Sequence, residues 1–231
     1  MNAILKKIDE YAAALKKAGL WHTSRTPVGY IKKTKSHEQA KDNFIYEFYC
    51  YLRIVMDLSQ NYALEYEAGA GDNKNKFPQG PAAKSGRPFF RLKDKNGNVV
   101  YQVCAGTEIK TIAGTKTNAP DISFQTPDAD MDEPAADDVK LIIDAKYNRP
   151  TSDSDSFQEA QFDHFAMMIR NLNVESADQE KIQFGSLSTF KGNCILTNNK
   201  AFKADQAYLA LHKVTEVEDF DEGKTFNVLT Y

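Results

Sequence analysis

The chain has 231 residues but only three cysteines, Cys50, Cys104 and Cys194, which are far apart and form no CxxC pair. That excludes a disulfide framework and argues against a structural zinc site. Its four histidines, His22, His37, His164 and His212, fall at no metal-ligand spacing. The glycines Gly69, Gly71, Gly80 and Gly86 complete no phosphate-loop pattern, so any nucleotide-driven motor must be a separate chain. The first twenty residues lack the apolar core of a signal peptide, and no run approaches the length of a membrane span. A cytoplasmic protein with no membrane partner is the expectation. What remains is 42% apolar, enough at this length to bury a core without covalent staples.

Charge is scarce in net terms, at −3, but unevenly placed. Residues 126–138 carry six acidic and no basic side chains, and setting these aside leaves the rest of the chain at +3. Basic residues gather at Lys32, Lys33 and Lys35, and again at Lys74, Lys76, Lys84, Arg87, Arg91, Lys93 and Lys95. A positive face able to meet a phosphate backbone is therefore compatible with the acidic total. The acidic stretch itself reads as a solvated insertion.

Periodicity predicts an amphipathic helix over 3–18 and a connector over 21–40. A second helix is expected over 42–64, capped by Asp42 or Asn43 and apolar around most of its circumference. Glu47 sits within that apolar surface. Residues 67–87 read as a loop. PFFRLKD and VVYQVCAG read as a hairpin joined through Asn96-Gly97. Strands follow at 120–126 and 139–147, the latter apolar on both faces as in a central strand. A helix over 156–172, capped by Ser154 or Asp155, precedes a buried strand at 193–198, a helix over 200–212 and a weak terminal strand in FNVLTY. The order predicts an α/β domain with a central mixed sheet flanked by helices over 41–231, and an N-terminal helical extension and connector over 1–40.

One pair of segments carries chemistry. Pro120-Asp121 opens a strand, and Asp144-Ala145-Lys146 closes the next. Residues two apart on a strand share a face, so Asp144 and Lys146 point the same way, and pairing of the strands would bring Asp121 beside Asp144. Two carboxylates and a lysine at a strand end suit phosphodiester hydrolysis: hard oxygen ligands hold Mg²⁺, and the lysine orients water or stabilises developing charge. An ionised Asp and Lys closing an apolar strand are expensive without a purpose, although a structural ion pair is the plain alternative.

These motifs, following a helix that bears Glu47, resemble the PD-(D/E)XK nuclease superfamily. The nearer likeness is to nuclease subunits of modification-dependent (McrBC-type) restriction systems and related defence nucleases, over about residues 42–200. The resemblance implies a restriction-endonuclease-like core and a Mg²⁺-dependent endonuclease, with Mn²⁺ able to substitute. It implies Asp121 and Asp144 as metal ligands with the Ala145 backbone carbonyl, Lys146 as catalytic lysine, Glu47 as an accessory acid and metal ligand, and Gln161 as a polar residue near the lysine or scissile phosphate. A Gln-x-x-x-aromatic pattern supplies Gln161 with Phe165, or Gln158 with Phe162. The middle acid is Asp where Glu is commoner, and Phe165 stands where tyrosine is frequent, so a hydroxyl role is lost there. DNA is the expected partner, with a separate NTPase or defence-system subunit. The amphipathic N-terminal helix is a candidate homodimer or partner surface, unless it packs onto its own domain. Two other classes stay open: a catalytically silent nucleic-acid-binding or scaffold subunit, and an RNA-directed nuclease.

Weaker candidates complete the reading. Glu108 and Lys110 form a second ExK pattern. His164 lies beside the proposed active-site helix, where a lone histidine is more often structural or solvated. The cysteines read as core residues.

Overall fold

The computed structural model describes residues 1–21, 38–71, 76–78, 80–115, 117–148, 159–174, 181–190, 192–198, 206–212, 214–223 and 225–229. Its helices are α1 (Asn2–Lys17), α2 (Glu38–Leu58), α3 (Glu159–Asn171) and α4 (Gln206–His212). The strands are β1 (Ala63–Glu67), β2 (Phe89–Lys93), β3 (Val99–Ala105), β4 (Ile109–Lys110), β5 (Thr117–Asn118), β6 (Ile122–Gln125), β7 (Val139–Lys146), β8 (Cys194–Thr197), β9 (Thr215–Glu218) and β10 (Asn227–Leu229). Eight strands make one sheet in the order β1-β2-β3-β6-β7-β8-β9-β10, while β4 and β5 pair separately. The sheet is mixed: β7-β8 and β8-β9 run parallel and the other neighbours antiparallel.

The strand alternation of β7 explains the layers. Leu141, Ile143 and Ala145 join a cluster with α1 and α2, whereas Ile142 joins one with Phe162, Phe165, Ile169 and Leu209 of α3 and α4. Both faces are thus covered, which is why the strand reads as a continuous apolar run. The α1 stripe, Ile4, Ile8, Ala12 and Leu15, is buried, and three of its members lie in the cluster shared with α2. That stripe is covered by the chain's own domain and does not form an open dimer surface. No described helix is long and apolar enough to cross a membrane.

Several boundaries differ from the sequence expectation. The second helix starts at Glu38, so Asp42 and Asn43 lie inside it and do not cap it, and it ends at Leu58. The expected helical tail instead becomes β1, held to β2 with Glu65 and Glu67 ion-paired to Lys93 and Arg91 at 2.7 and 3.2 Å. Cross-strand pairing outweighs the helical spacing there. β9 was not expected because its sequence, TEVE, is polar; its placement between β8 and β10 buries it. The hairpin turn follows its chemistry: Gly97 has φ 84°, and Asp94 Oδ1 accepts from the amides of Asn96 and Asn98. Ser154, Asp155 and Gln158 lie outside the described residues.

The acidic stretch keeps Asp128, Asp130, Asp132, Glu133 and Asp137 exposed, as expected of a solvated segment, but its backbone is tied into the fold. Ala129 and Ala136 are buried, and the Lys84 ammonium donates to the carbonyls of Ala129 and Asp130, each at 3.2 Å. The Lys110 amide donates to the Pro134 carbonyl, and its ammonium pairs with Glu133 at 2.5 Å. Backbone groups bind this segment into the fold despite its charge.

Candidate active site

The register of β6 on β7 sets Ile122 opposite Ile143, and continued by one residue it sets Asp121 opposite Asp144. The backbone ladder stops there, leaving the Ala145 amide to another partner. Asp121 Oδ2 accepts from that amide at 2.7 Å. Lys146 Nζ lies 2.5 Å from Asp144 Oδ2 and 3.9 Å from Asp121 Oδ2. The three side chains therefore converge as the strand pattern required, and Ala145 turns into the core between them.

Their electrostatics are unequal. Burial, then the neighbouring Asp144 and Glu47 carboxylates, push the Asp121 pKa well above the usual carboxylate range. Burial also opposes charge on Asp144, only 3% exposed, but the Lys146 ammonium and a hydrogen bond from Asp121 outweigh it and hold its pKa down. Burial works against charge on Lys146 as well, and Asp144 and Asp121 more than compensate, raising its pKa. Glu47 of α2 belongs to the same field: burial raises it to about 7, against Lys146 and with Asp144. Burial therefore opposes ionisation of Asp121 and Glu47, while the Lys146 ammonium favours that of Asp144.

Three carboxyl groups thus face one lysine. Among the described residues no three His, Cys, Asp or Glu side chains form a ready-made metal cage, but the donor set fits a hard divalent cation in two respects. Asp144 Oδ2 is buried, and the partner the structure gives it is the Lys146 ammonium at 2.5 Å, so a carboxylate oxygen is held ready at the cluster. The Asp121 and Glu47 carboxyls, whose ionisation burial opposes, also supply further hard oxygens of the kind a divalent cation takes. Such a cation would bind through Asp121, Asp144 and a backbone carbonyl.

A cleft of about 320 Å³ opens beside Glu47 and Asp121. From α2 it is lined by Asn43, Phe44, Phe48 and Tyr51, and from elsewhere by Pro78, Gly80, Pro81 and Gly106. Pro78 is anchored by the preceding Phe77, whose ring lies 5.2–5.3 Å from those of Trp21, Phe48 and Tyr51. Gly106, at φ +53°, permits that approach; a Cβ there would meet Pro78 Cγ at 3.2 Å and the Gly80 carbonyl at 3.3 Å. The aromatic stripe on α2 is visible in the sequence as helical spacing, yet spacing alone does not distinguish a cleft wall from core.

Other sequence candidates are resolved differently. Gln161 lies on α3 with its side-chain oxygen buried and unpartnered among the described residues, and no hydrogen bond among them ties it to Lys146 or Asp144. Phe162 and Phe165 are core residues. Exposed His164 is near enough for its charge to act on Asp144, a proximity its lone position in the sequence did not suggest. Lys110 faces the acidic segment and not the carboxylate pair. Cys50, Cys104 and Cys194 are buried and free, with pKa values raised by burial, as suits core residues. Of the basic residues gathered by sequence, Arg91 and Lys93 are paired with carboxylates of β1 and Lys84 is buried, while Lys32, Lys33, Lys35 and Lys74 lie outside the described residues.

Comparison with protein-family models, curated proteins and solved structures finds no match for the chain.

Proposed function

We propose that the chain is a Mg²⁺-dependent endonuclease that hydrolyses phosphodiester bonds of DNA, built on a restriction-endonuclease-like core of the PD-(D/E)XK type. The supporting observation is the convergence of Asp121, Asp144 and Lys146 at the paired ends of β6 and β7, with Glu47 in the same field. Asp121, Asp144 and the Ala145 carbonyl would hold Mg²⁺ or Mn²⁺, with Glu47 as a further acid beside it. When bound, the metal supplies a Lewis acid that polarises the phosphodiester. Lys146 is positioned to orient the attacking water or to stabilise charge developing on the phosphoryl oxygens. Service in a restriction or phage-defence system, alongside a separate NTPase subunit, is the setting that the family resemblance supplies. A single site cuts one strand, so a double-strand break would take a second copy or two successive nicks.

The test is plasmid cleavage in Mg²⁺ or Mn²⁺ beside Asp144→Ala and an EDTA control, with thermal unfolding of both proteins. Metal-dependent cutting should vanish in the variant, and Mg²⁺ should raise the Tm of the wild type but not of the variant. Equal cutting by both proteins would remove Asp144 from the chemistry; equal metal stabilisation would remove it from the metal site.

A further inference from the structure

Resting on the endonuclease reading, we propose that the cleft beside Asp121 and Glu47 receives the base of an unpaired nucleotide, making single-stranded DNA the substrate of this site. Three features of the cleft select that occupant. Its volume, about 320 Å³, is at the small end for a ligand pocket and suits one flat group with its sugar. Among the described residues its lining contains neither lysine nor arginine, so none of them offers a cation to grip a phosphate inside. Its walls are apolar and aromatic: Phe44 is half-buried at the cleft, and its ring lies nearly parallel to that of Phe48, 9° apart with centroids at 6.1 Å.

A base within a duplex presents its edges, while both faces are covered by neighbouring pairs. An aromatic wall is satisfied by a ring face, which only an unstacked base can offer. The carboxylates occupy one margin of the cleft, since Asp121 both lines it and belongs to the ionic cluster with Asp144 and Lys146. A base seated against Phe44 therefore leaves its phosphate for that cluster. The Phe77 anchor and the contact at Gly106 fix the loop wall, so the pocket is preformed.

The experiment uses the full chain with a 5′-labelled dT oligonucleotide, alone or annealed to its dA complement, and the matched rU strand. Rates are measured in Mg²⁺ or Mn²⁺, and binding by fluorescence anisotropy with the Asp144→Asn protein. The single DNA strand should be cut at least about tenfold faster than the duplex, and Phe44→Ala should weaken its binding by about tenfold, the scale of one lost base–aromatic stack. Phe44→Leu keeps apolar volume and should show the same loss without unfolding. Duplex cutting at an equal or greater rate, or single-strand affinity unchanged in Phe44→Leu, would overturn the proposal while leaving the endonuclease reading in place. Tighter binding of the rU strand would overturn the assignment to DNA. Binding that depends on Phe44 without any metal-dependent cutting would support the cleft and sink the endonuclease.

Discussion

Lys84 and Lys146 are both drawn into the protein, and they are held in opposite ways. Lys84 is 1% exposed and, among the described residues, meets no carboxylate at ion-pair distance: its ammonium donates to two carbonyls of the acidic segment and lies 5.2 Å from the Phe89 ring centroid. Burial lowers its pKa. Lys146 keeps its side chain 26% exposed and sits between Asp144 and Asp121, which raise its pKa against the opposing effect of burial. The first lysine spends its charge on closing a loop. The second is held ionised at the edge of a cleft, beside three carboxyl groups whose pKa values the site drives apart. Titratable groups driven apart in a cleft are a sign of chemistry, whereas charge exhausted by backbone carbonyls is a sign of architecture.

Substituting each lysine by methionine sharpens that contrast. Lys146→Met should lower the cleavage rate at least about a hundredfold, the scale of one lost transition-state contact, with a smaller change in DNA affinity. The measurement is single-turnover cleavage beside binding. A loss confined to affinity would recast Lys146 as a binding residue and favour the catalytically silent reading.

Lys84→Met should act on stability instead. Methionine keeps the packing of the stem but leaves the Ala129 and Asp130 carbonyls without their donor, a cost of about 1–3 kcal/mol. Urea unfolding should show that loss, while cleavage per folded molecule is retained. Undiminished stability would mean that the acidic segment is held by its other contacts, at Lys110 and Pro134, alone.

The same contrast shows what the sequence could and could not reveal. Asp121, Asp144 and Lys146 were legible because strand alternation and one antiparallel pairing suffice to bring them together, both being local rules. Glu47 was legible as a charge stranded in an apolar helix. Lys84 read as one of a basic group, because composition records charge and not the long-range carbonyls that absorb it; the acids of 126–138 do face solvent, but their composition does not show that the backbone between them is tied into the fold. β1 and β9 were missed for a related reason: their residues become strand only through partners supplied from elsewhere in the chain. Phe44 belongs to the apolar circumference of α2, and periodicity fixes a face of a helix but not whether a loop leaves a gap against it.

The smallest expected effect follows from the opposite pKa directions. Lys84 holds its proton less tightly in the folded chain than the ordinary 10.5. As pH rises from its lowered value toward 10.5, the unfolded chain binds more protons than the folded one, so folding gains from Lys84 across that interval. Lys146 has the reverse sign: its contribution is fully present below 10.5 and is lost only as pH climbs through its raised folded value. Urea unfolding at about pH 8 and about pH 10 should therefore show the stability gap between wild type and Lys84→Met shifting in favour of the wild type. Using gaps cancels other groups that titrate equally in wild type and variant. A Lys84 gap that shifts against the wild type would mean its carbonyl partners hold the proton more tightly than burial repels it, and the distinction between the two lysines would then rest on their partners alone.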